Sequence, residues 1–247
     1  GQEDRFFKGQ HILMANLEGP FASTRVPTTK SIAFRFDPKL AKDLKSHGFD
    51  GFTLANNHAY DMGRKNVDFT RETLTNNNLF YFGDEYAQGT EYSYIAGEKE
   101  GLPFAVAFVG FNDTEHSLDL EKVKTVIEDA KTRAKHVVVN IHWGEEYQQQ
   151  SNTRQQTLAH QMIDWGADAI IGHHPHVVQE MELYNGKPIF YSLGNFIFDQ
   201  YFSKETQEGI SVGFMLGEEG INWTVIPFFS RSEEHTSELQ SPMFISY

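Results

Sequence analysis

The chain has 247 residues, a net charge of −13 at pH 7 and no cysteine. This length can bury a sizeable core in one large domain or two small ones, and the lack of cysteine excludes disulfides and thiolate metal ligands. An acidic chain lacks the basic face of a nucleic-acid-binding protein, so we expect no nucleic-acid partner. An anionic substrate would need local positive charge, which bound metal ions would supply.

The first third of the chain alternates predicted strands and helices. Asp37 and Pro38 give the first helix an N-cap and a first-turn proline, and Gly48 ends it. The predicted helices are Pro38–Ser46 and Gly63–Asn77. The predicted strands are His11–Ala15, Phe49–Ala55 and Leu79–Phe82, with Ser31–Phe36 as a strand or a sheet edge.

In the remainder of the chain, strand pairs lie between strand–helix units. Apolar residues recur at three- and four-residue spacing over Leu118–Ala134, which predicts an amphipathic helix, and Ser151–Trp165 is predicted as another. The predicted strands are Glu91–Ala96, Pro103–Gly110, His136–Ile141, Ala167–Ile171, Ile189–Tyr191, Gly209–Leu216 and Gly220–Pro227. This order predicts an α/β protein with mixed strand directions.

Four of these strands are followed by polar residues that are able to carry chemistry: Glu18, Asn57-His58, His142, and the group His173, His174 and His176. Taken singly, they have ordinary interpretations as a solvated loop acid, a turn, a core histidine and a polar loop. Three imidazoles within four positions, stiffened by Pro175, favour metal ligation.

Adjacent strand ends in one sheet converge on a single cleft, so these groups are expected to meet. A carboxylate, an amide and three imidazoles supply most of a site for two divalent cations, and they suit Mn, Fe or Zn. Two such cations can bind an anionic oxygen, acidify a bridging water and stabilise an in-line displacement. The imidazole of His58, beside the Asn57 amide, is placed to protonate a leaving group.

The segments NLEGP, GFDGFTLANNHAYDMG, VNIHWGEEY and GADAIIGHHPHVVQEMELYNGKPIFYSLGNFIFD closely resemble the CapA family over about residues 8–228. These are the poly-γ-glutamate capsule biosynthesis proteins of the calcineurin-like metallophosphatase superfamily. The resemblance implies a four-layer α/β/β/α sandwich with mixed sheets and a metal site at the strand ends. It also implies a cell-envelope or extracellular location for the full-length protein, with a cytoplasmic one left open.

The resemblance also assigns roles by position. It implies that two divalent metal ions are held by Glu18, Asn57, His142, His174 and His176. His58 becomes the general acid, and Asp61, three residues further on, can orient it. The residues assigned to substrate contact or to support of the ligands are His173, Glu146 and Asn195.

Two features depart from the family pattern. No strand ending in Gly-Asp, whose Asp would ligate the first metal, precedes Glu18, so we expect residues 1–230 to be an N-terminally truncated domain that also lacks any signal or anchor. Residues 231–242, RSEEHTSELQSP, resemble a translated sequencing adapter, so 231–247 is interpreted as a non-native tail. The alternative interpretation of this tail is an acidic disordered segment.

The leading hypothesis for function is a metal-dependent, phosphoesterase-type hydrolase of capsule or envelope polymer biosynthesis. Its substrate would be an anionic polymer or a phosphoester. The alternative hypothesis is a non-enzymatic subunit of a polymer synthesis and export complex that keeps the metallophosphatase fold as a scaffold. A third hypothesis is a fragment made inactive by loss of the first-metal Asp.

Overall fold

The computed structural model describes residues 9–83 and 93–230, together with the backbone of residues 239–240 and 243–246. The helices are α1 (Leu40–Ser46), α2 (Arg64–Asn76), α3 (Leu120–Arg133) and α4 (Thr153–Asp164). The strands are β1 (Ile12–Asn16), β2 (Gly51–Thr53), β3 (Phe80–Phe82), β4 (Ser93–Ala96), β5 (Val106–Asn112), β6 (His136–His142), β7 (Ala169–His173), β8 (Met181–Tyr184), β9 (Lys187–Phe190), β10 (Asn195–Ile197), β11 (Glu208–Leu216), β12 (Ile221–Phe229), β13 (Leu239–Gln240) and β14 (Met243–Ser246). No helix in these ranges is both long and apolar enough to cross a membrane.

Two six-stranded sheets form the centre of the fold. The first has the order β12-β11-β14-β1-β2-β3, and β1, β2 and β3 run parallel. The second has the order β4-β5-β6-β7-β9-β8, with β5, β6, β7 and β9 parallel and both edge strands antiparallel. Strands β10 and β13 form a separate antiparallel pair. The predicted mixture of strand directions is therefore confirmed.

Three apolar clusters separate four layers. Val138 of β6 and Phe214 of β11 belong to the cluster between the two sheets. Helices α3 and α4 cover the outer face of the second sheet, where Ile127 packs in one cluster with β6 residues. Helices α1 and α2 cover the first sheet, through Ala41 and Leu74. This arrangement confirms the predicted α/β/β/α sandwich.

Strand β6 illustrates how the sequence aims a side chain into the site. Its residues alternate between faces, so Val137, Val139 and Ile141 pack toward α3 and α4. The opposite face carries Val138 between the sheets, and the same alternation directs His142 there, at the carboxyl end of the strand. A fully buried apolar strand thus ends in an imidazole between the two sheets.

Some predicted elements differ in the structure. Ser31–Phe36 forms no strand, since only Phe36 makes an isolated bridge, to Phe21. Helix α1 begins at Leu40 because the preceding backbone hydrogen bonds reach back only three residues, from Leu40 to the carbonyl of Asp37 (3.0 Å) and from Ala41 to that of Pro38 (3.2 Å), so the first residues form a turn. Oδ1 of Asp37 still accepts from the backbone N–H of Lys39 (2.9 Å). Strands β8 and β10 are absent from the sequence-based prediction. Residues 91–92 of one predicted strand lie outside the described residues.

The backbone of the predicted tail takes part in the sheets. Strand β14 lies between β1, to which it is antiparallel, and β11, to which it is parallel. Strand β13 pairs with β10. The other residues of 231–247 lie outside the described part of the chain, and the non-native origin of this segment stays a prediction.

Candidate metal centre

The carboxyl ends of three strands bring a buried carboxylate and two imidazoles together. Glu18 follows β1, His142 ends β6, and His174 comes directly after β7. Each offers one ligand atom, and these atoms all lie within 4.8 Å of one another. Glu18 and His142 are fully buried, and His174 is 8% exposed. The groups meet as the sequence predicts, but they come from two sheets and not from the edge of one, since β1 belongs to the first sheet and β6 and β7 to the second.

The other two predicted ligands adjoin this group. Oε1 of Glu18 lies 3.7 Å from Nε2 of His142 and 3.6 Å from Nε2 of His176. Oδ1 of Asn57, which follows β2, lies 2.9 Å from Nε2 of His142. The structure therefore brings all five predicted ligand side chains into one cluster, which we call the metal cluster: Glu18, Asn57, His142, His174 and His176.

Burial keeps the imidazoles of the metal cluster neutral. It lowers the pKa of His142 well below its ordinary value, with further lowering by the neighbouring histidines. Burial also lowers the pKa of His174 to about 3 and that of His176 to about 4. A neutral imidazole has a lone pair for a metal ion, so these side chains need no deprotonation near neutral pH before they ligate.

The donor set and its unsatisfied atoms fit a divalent cation. Nδ1 of His142 and Nδ1 of His174 are buried and have no hydrogen-bond partner within the described ranges. Leaving a buried polar atom without a partner costs about 1–3 kcal/mol, and a bound ion or water removes that cost. Imidazole, carboxylate and amide donors suit Mn, Fe or Zn and do not select among them.

The turn that carries the histidines is held in an uncommon conformation. His174 (φ 98°) and His176 (φ 59°) both lie in the left-handed region, on either side of Pro175. Such residues cost about 1–3 kcal/mol each and cluster at functional sites. Gly172 precedes the turn, and a Cβ there would collide with the carbonyl of Tyr191. Glycine at this position lets the end of β7 pack closely against that backbone.

His58 is paired with Asp61, as the sequence predicts. Nδ1 of His58 lies 2.6 Å from Oδ2 of Asp61, and the same oxygen accepts a hydrogen bond from the backbone N–H of Phe34 (2.7 Å). The ring of Phe34 lies 4.3 Å from the His58 ring. Nζ of Lys30 approaches the other oxygen of Asp61 at 3.2 Å. The carboxylate and the Phe34 ring together fix the orientation of the imidazole.

Asn195 supports a ligand of the metal cluster. Its Oδ1 lies 2.9 Å from Nδ1 of His176, and its Nδ2 donates to the carbonyl of Thr206 (3.0 Å). A hydrogen bond at Nδ1 places the imidazole proton there and leaves Nε2, the nitrogen facing Glu18, as the acceptor. The amide therefore fixes both the tautomer and the ring orientation of His176.

The remaining two predicted residues occupy different environments. His173 is buried at the end of β7, with Nε2 at 3.4 Å from Oδ1 of Asn140, and burial lowers its pKa to about 3. Glu146 is exposed in the loop after β6. The roles assigned to both from the sequence stay predictions.

Two residues that the sequence analysis missed support Glu18. Nδ2 of Asn16 donates to Oε2 of Glu18 (3.3 Å). Nδ2 of Asn56 in turn donates to Oδ1 of Asn16 (3.1 Å) and to the carbonyl of Leu17 (2.8 Å). Asn16 ends an otherwise apolar strand, and this change of residue type was the signal in the sequence.

Comparison with known proteins places the chain in a family. A family model described as bacterial capsule synthesis protein PGA_cap matches residues 2–200. The "PGA biosynthesis protein CapA" of Bacillus subtilis (strain 168) is 34% identical over an alignment of 230 residues that covers 87% of this chain and 60% of that protein. The "Capsule biosynthesis protein CapA" of Bacillus anthracis is 35% identical over an alignment of 206 residues that covers 77% of this chain and 50% of that protein. The chain spans about half to three-fifths of these relatives.

A solved structure also matches. The crystal structure of a hypothetical protein from Thermus thermophilus has a TM-score of 0.63 at 14% identity and covers 93% of this chain and 92% of that chain. At this identity the likeness shows the fold alone. The family match decides the question of kinship: the chain belongs to the bacterial capsule synthesis protein family, which confirms the resemblance seen in its motifs.

Proposed function

We propose that this member of the bacterial capsule synthesis protein family is a metal-dependent, phosphoesterase-type hydrolase that acts in the biosynthesis of a poly-γ-glutamate capsule or a related envelope polymer. The observation that carries the proposal is the His58–Asp61 pair, joined at 2.6 Å beside the metal cluster. A metal site that only stabilised the fold would not need a proton donor next to it. His58 follows Asn57, whose amide oxygen contacts His142.

The residues of the chain then have separable roles. Asp61 accepts the Nδ1 proton of His58, so the other ring nitrogen is the one that can give a proton to a leaving oxygen. Asn195 and Asn16 orient His176 and Glu18 through hydrogen bonds. The metal cluster would hold up to two divalent ions, which when bound supply Lewis acidity toward a phosphoryl group and lower the pKa of water.

The proposed substrate is a phosphoester or an anionic polymer of the envelope. We further propose that the chain works at the cell envelope, in contact with other subunits of a capsule synthesis or export complex. Support comes from the names of the two relatives, which describe biosynthesis of PGA and of capsule. Because the chain spans only part of these relatives, their activity and partners enter here as proposals.

The same names favour a second candidate, a scaffold subunit without catalysis, since they describe synthesis and not hydrolysis. The two candidates differ in what His58 does. In a hydrolase it transfers a proton, whereas in a scaffold its pairing with Asp61 only stabilises the loop that follows β2.

The test is hydrolysis of diphenyl phosphate by the purified chain loaded with Mn²⁺, Fe²⁺ or Zn²⁺, because an unsubstituted phenolate is a poor leaving group that depends on a proton donor. Loss of a general acid lowers kcat by about 10²- to 10⁴-fold, so we expect His58→Ala to do so with metal content unchanged. The matched control is His47→Ala, an exposed histidine at the end of α1. Circular dichroism checks that both variants fold.

Two outcomes would count against the hydrolase. Equal kcat in parent and His58→Ala would remove the general-acid role. Bound metal with no metal-dependent hydrolysis in the parent would favour the scaffold.

A further inference from the structure

The loop between β6 and α4 carries a tyrosine in a strained backbone conformation. Tyr147 has φ 65°, in the left-handed region that side chains with a Cβ rarely adopt. Its backbone N–H donates to the carbonyl of Pro175 at 2.8 Å, which ties the loop to the turn between His174 and His176. Strain of this kind persists only where the surroundings hold it in place.

Buried glutamines hold this loop. Nε2 of Gln179 donates to the carbonyls of Gln148 (2.8 Å) and Gln150 (3.1 Å), just beyond Tyr147. Nε2 of Gln155 donates to Oε1 of Gln179 at 2.9 Å, and both glutamines are at most 5% exposed. These hydrogen bonds fix the conformation of the loop, and the loop in turn fixes the position of Tyr147.

The ring of Tyr147 lies beside the metal cluster and is open to solvent. Its centroid is 6.2 Å from that of His176, with the planes 28° apart, and Phe202 meets it edge-on at 5.2 Å. Tyr147 is 40% exposed and Phe202 is 67% exposed. Nε2 of Gln200 donates to the tyrosine hydroxyl at 3.2 Å. We call Tyr147 and Phe202 the aromatic rim.

The charge around the rim is negative. Glu145 and Glu146 are exposed on the same loop. A carboxylate-rich chain would be repelled here, whereas an uncharged flat group would lose little by leaving water for an aromatic surface.

We propose that Tyr147 is a specificity-determining residue that binds, together with Phe202, a planar and uncharged ring attached to the phosphoryl group of the substrate. The inference rests on the proposed function and narrows it. The substrate becomes a phosphoester with a ring next to its phosphorus, and a bare polyanionic strand is disfavoured at this face of the site.

The test compares binding of phenylphosphonate and methylphosphonate, which are not hydrolysed, to the Mn²⁺-loaded chain by calorimetry. The parent should bind phenylphosphonate about three- to tenfold more tightly, the contribution of one well-placed aromatic contact. Tyr147→Ala should abolish this preference, and Tyr147→Phe should retain it. Tyr184→Ala, which removes an aromatic residue stacked on His160 of α4, should also retain it.

Equal affinity of the parent for the two phosphonates would overturn the inference, as would an unchanged preference in Tyr147→Ala or no binding of either phosphonate. If Tyr147→Ala fails to fold, Phe202→Ala takes its place, because that side chain is mostly exposed. Hydrolysis assays distinguish a failure of the proposed hydrolase function from a failure of the proposed role of the aromatic rim. A phenyl preference without hydrolysis refutes only the proposed function, and hydrolysis without a phenyl preference refutes only the rim.

Discussion

Strand β6 has a histidine at each end, and the two ends of the strand differ in how their polar atoms are satisfied. At the amino end, Nε2 of His136 lies 2.9 Å from the carbonyl of Gly217, and the ring packs edge-on against Phe104. At the carboxyl end, His142 is fully buried, and its Nδ1 has no hydrogen-bond partner among the described residues. Both side chains are buried imidazoles in one strand, yet of the two only His142 has a buried ring nitrogen without a hydrogen-bond partner among the described residues.

The neighbouring groups repeat the contrast. At the amino end, Asp168 accepts hydrogen bonds from Lys131 (2.6 Å) and from the backbone of Val137 (2.9 Å), and Lys187 lies 3.3 Å away. At the carboxyl end, the cluster contains one carboxylate among several neutral imidazoles. A histidine alone therefore does not mark a site. Here the difference is that the imidazole at the carboxyl end has an unsatisfied buried nitrogen and lies beside a buried carboxylate and further imidazoles.

The largest expected effect comes from removing each of the two histidines. His142→Ala should lower affinity for Mn²⁺ or Zn²⁺ by more than about 100-fold. Removing a residue that only hydrogen-bonds to a metal ligand already costs up to about 100-fold, and removing the ligand itself should cost more. His136→Ala should leave metal affinity unchanged and lower the free energy of unfolding by about 1 kcal/mol, the contribution of one hydrogen bond. Elemental analysis and calorimetry on both variants provide the measurement. Equal metal content in parent and His142→Ala would mean that His142 is not a metal ligand and that the two ends of β6 do not differ in function.

A smaller loss of metal affinity is expected from Asn195, which contacts the metal cluster only through its hydrogen bond to His176. Asn195→Ala removes the oxygen that fixes Nδ1 of His176, so metal affinity should fall by about 10- to 100-fold. Asn222→Ala, on the exposed face of β12, is the matched control and should change nothing. Full affinity in Asn195→Ala would mean that His176 needs no orientation, and that its role as a ligand must be reconsidered.

Glu18, His142 and His174 were predictable as site residues because each comes at the carboxyl end of a predicted strand. Parallel strands of one sheet bring His142 and His174 together. Glu18 meets them only because the two sheets pack face to face, which the sequence did not show. Asn57 and His58 were singled out in the same way, and the family resemblance then assigned their roles and added Asp61 as the residue that can orient His58. The α/β/β/α architecture followed from the same resemblance.

The supporting contacts were less accessible to sequence reasoning, since they depend on side chains that are distant along the chain. Asn195 was identified only as a motif position, because its bond to His176 requires the fold. Ser31–Phe36 was predicted as a strand or a sheet edge, but it forms no strand and only Phe36 makes an isolated bridge. There the backbone of Phe34 bonds to the Asp61 carboxylate instead of to a neighbouring strand. Strand β8 was missed because it is only four residues long and its apolar residues, Met181 and Leu183, are exposed.

The smallest expected effect is a difference in pH dependence. Burial lowers the pKa of His173 to about 3 in the folded chain, whereas an unfolded histidine titrates near 6.5. Below about pH 6.5 the unfolded chain binds a proton that the folded chain refuses, so stability falls as pH falls. Between pH 7 and about pH 5.5 this one group should cost roughly 1 kcal/mol of the free energy of unfolding.

Chelator-treated parent and His173→Gln, unfolded by urea at both pH values, give the measurement. The variant should lose roughly 1 kcal/mol less than the parent on acidification. His136→Gln should lose only slightly less than the parent, because the hydrogen bond to Gly217 partly offsets the effect of burial on the pKa of His136. Equal changes in the parent and His173→Gln would mean that His173 can take up a proton in the folded chain. In that case a buried histidine at the carboxyl end of the sheet would accept a positive charge as readily as His136 at the amino end.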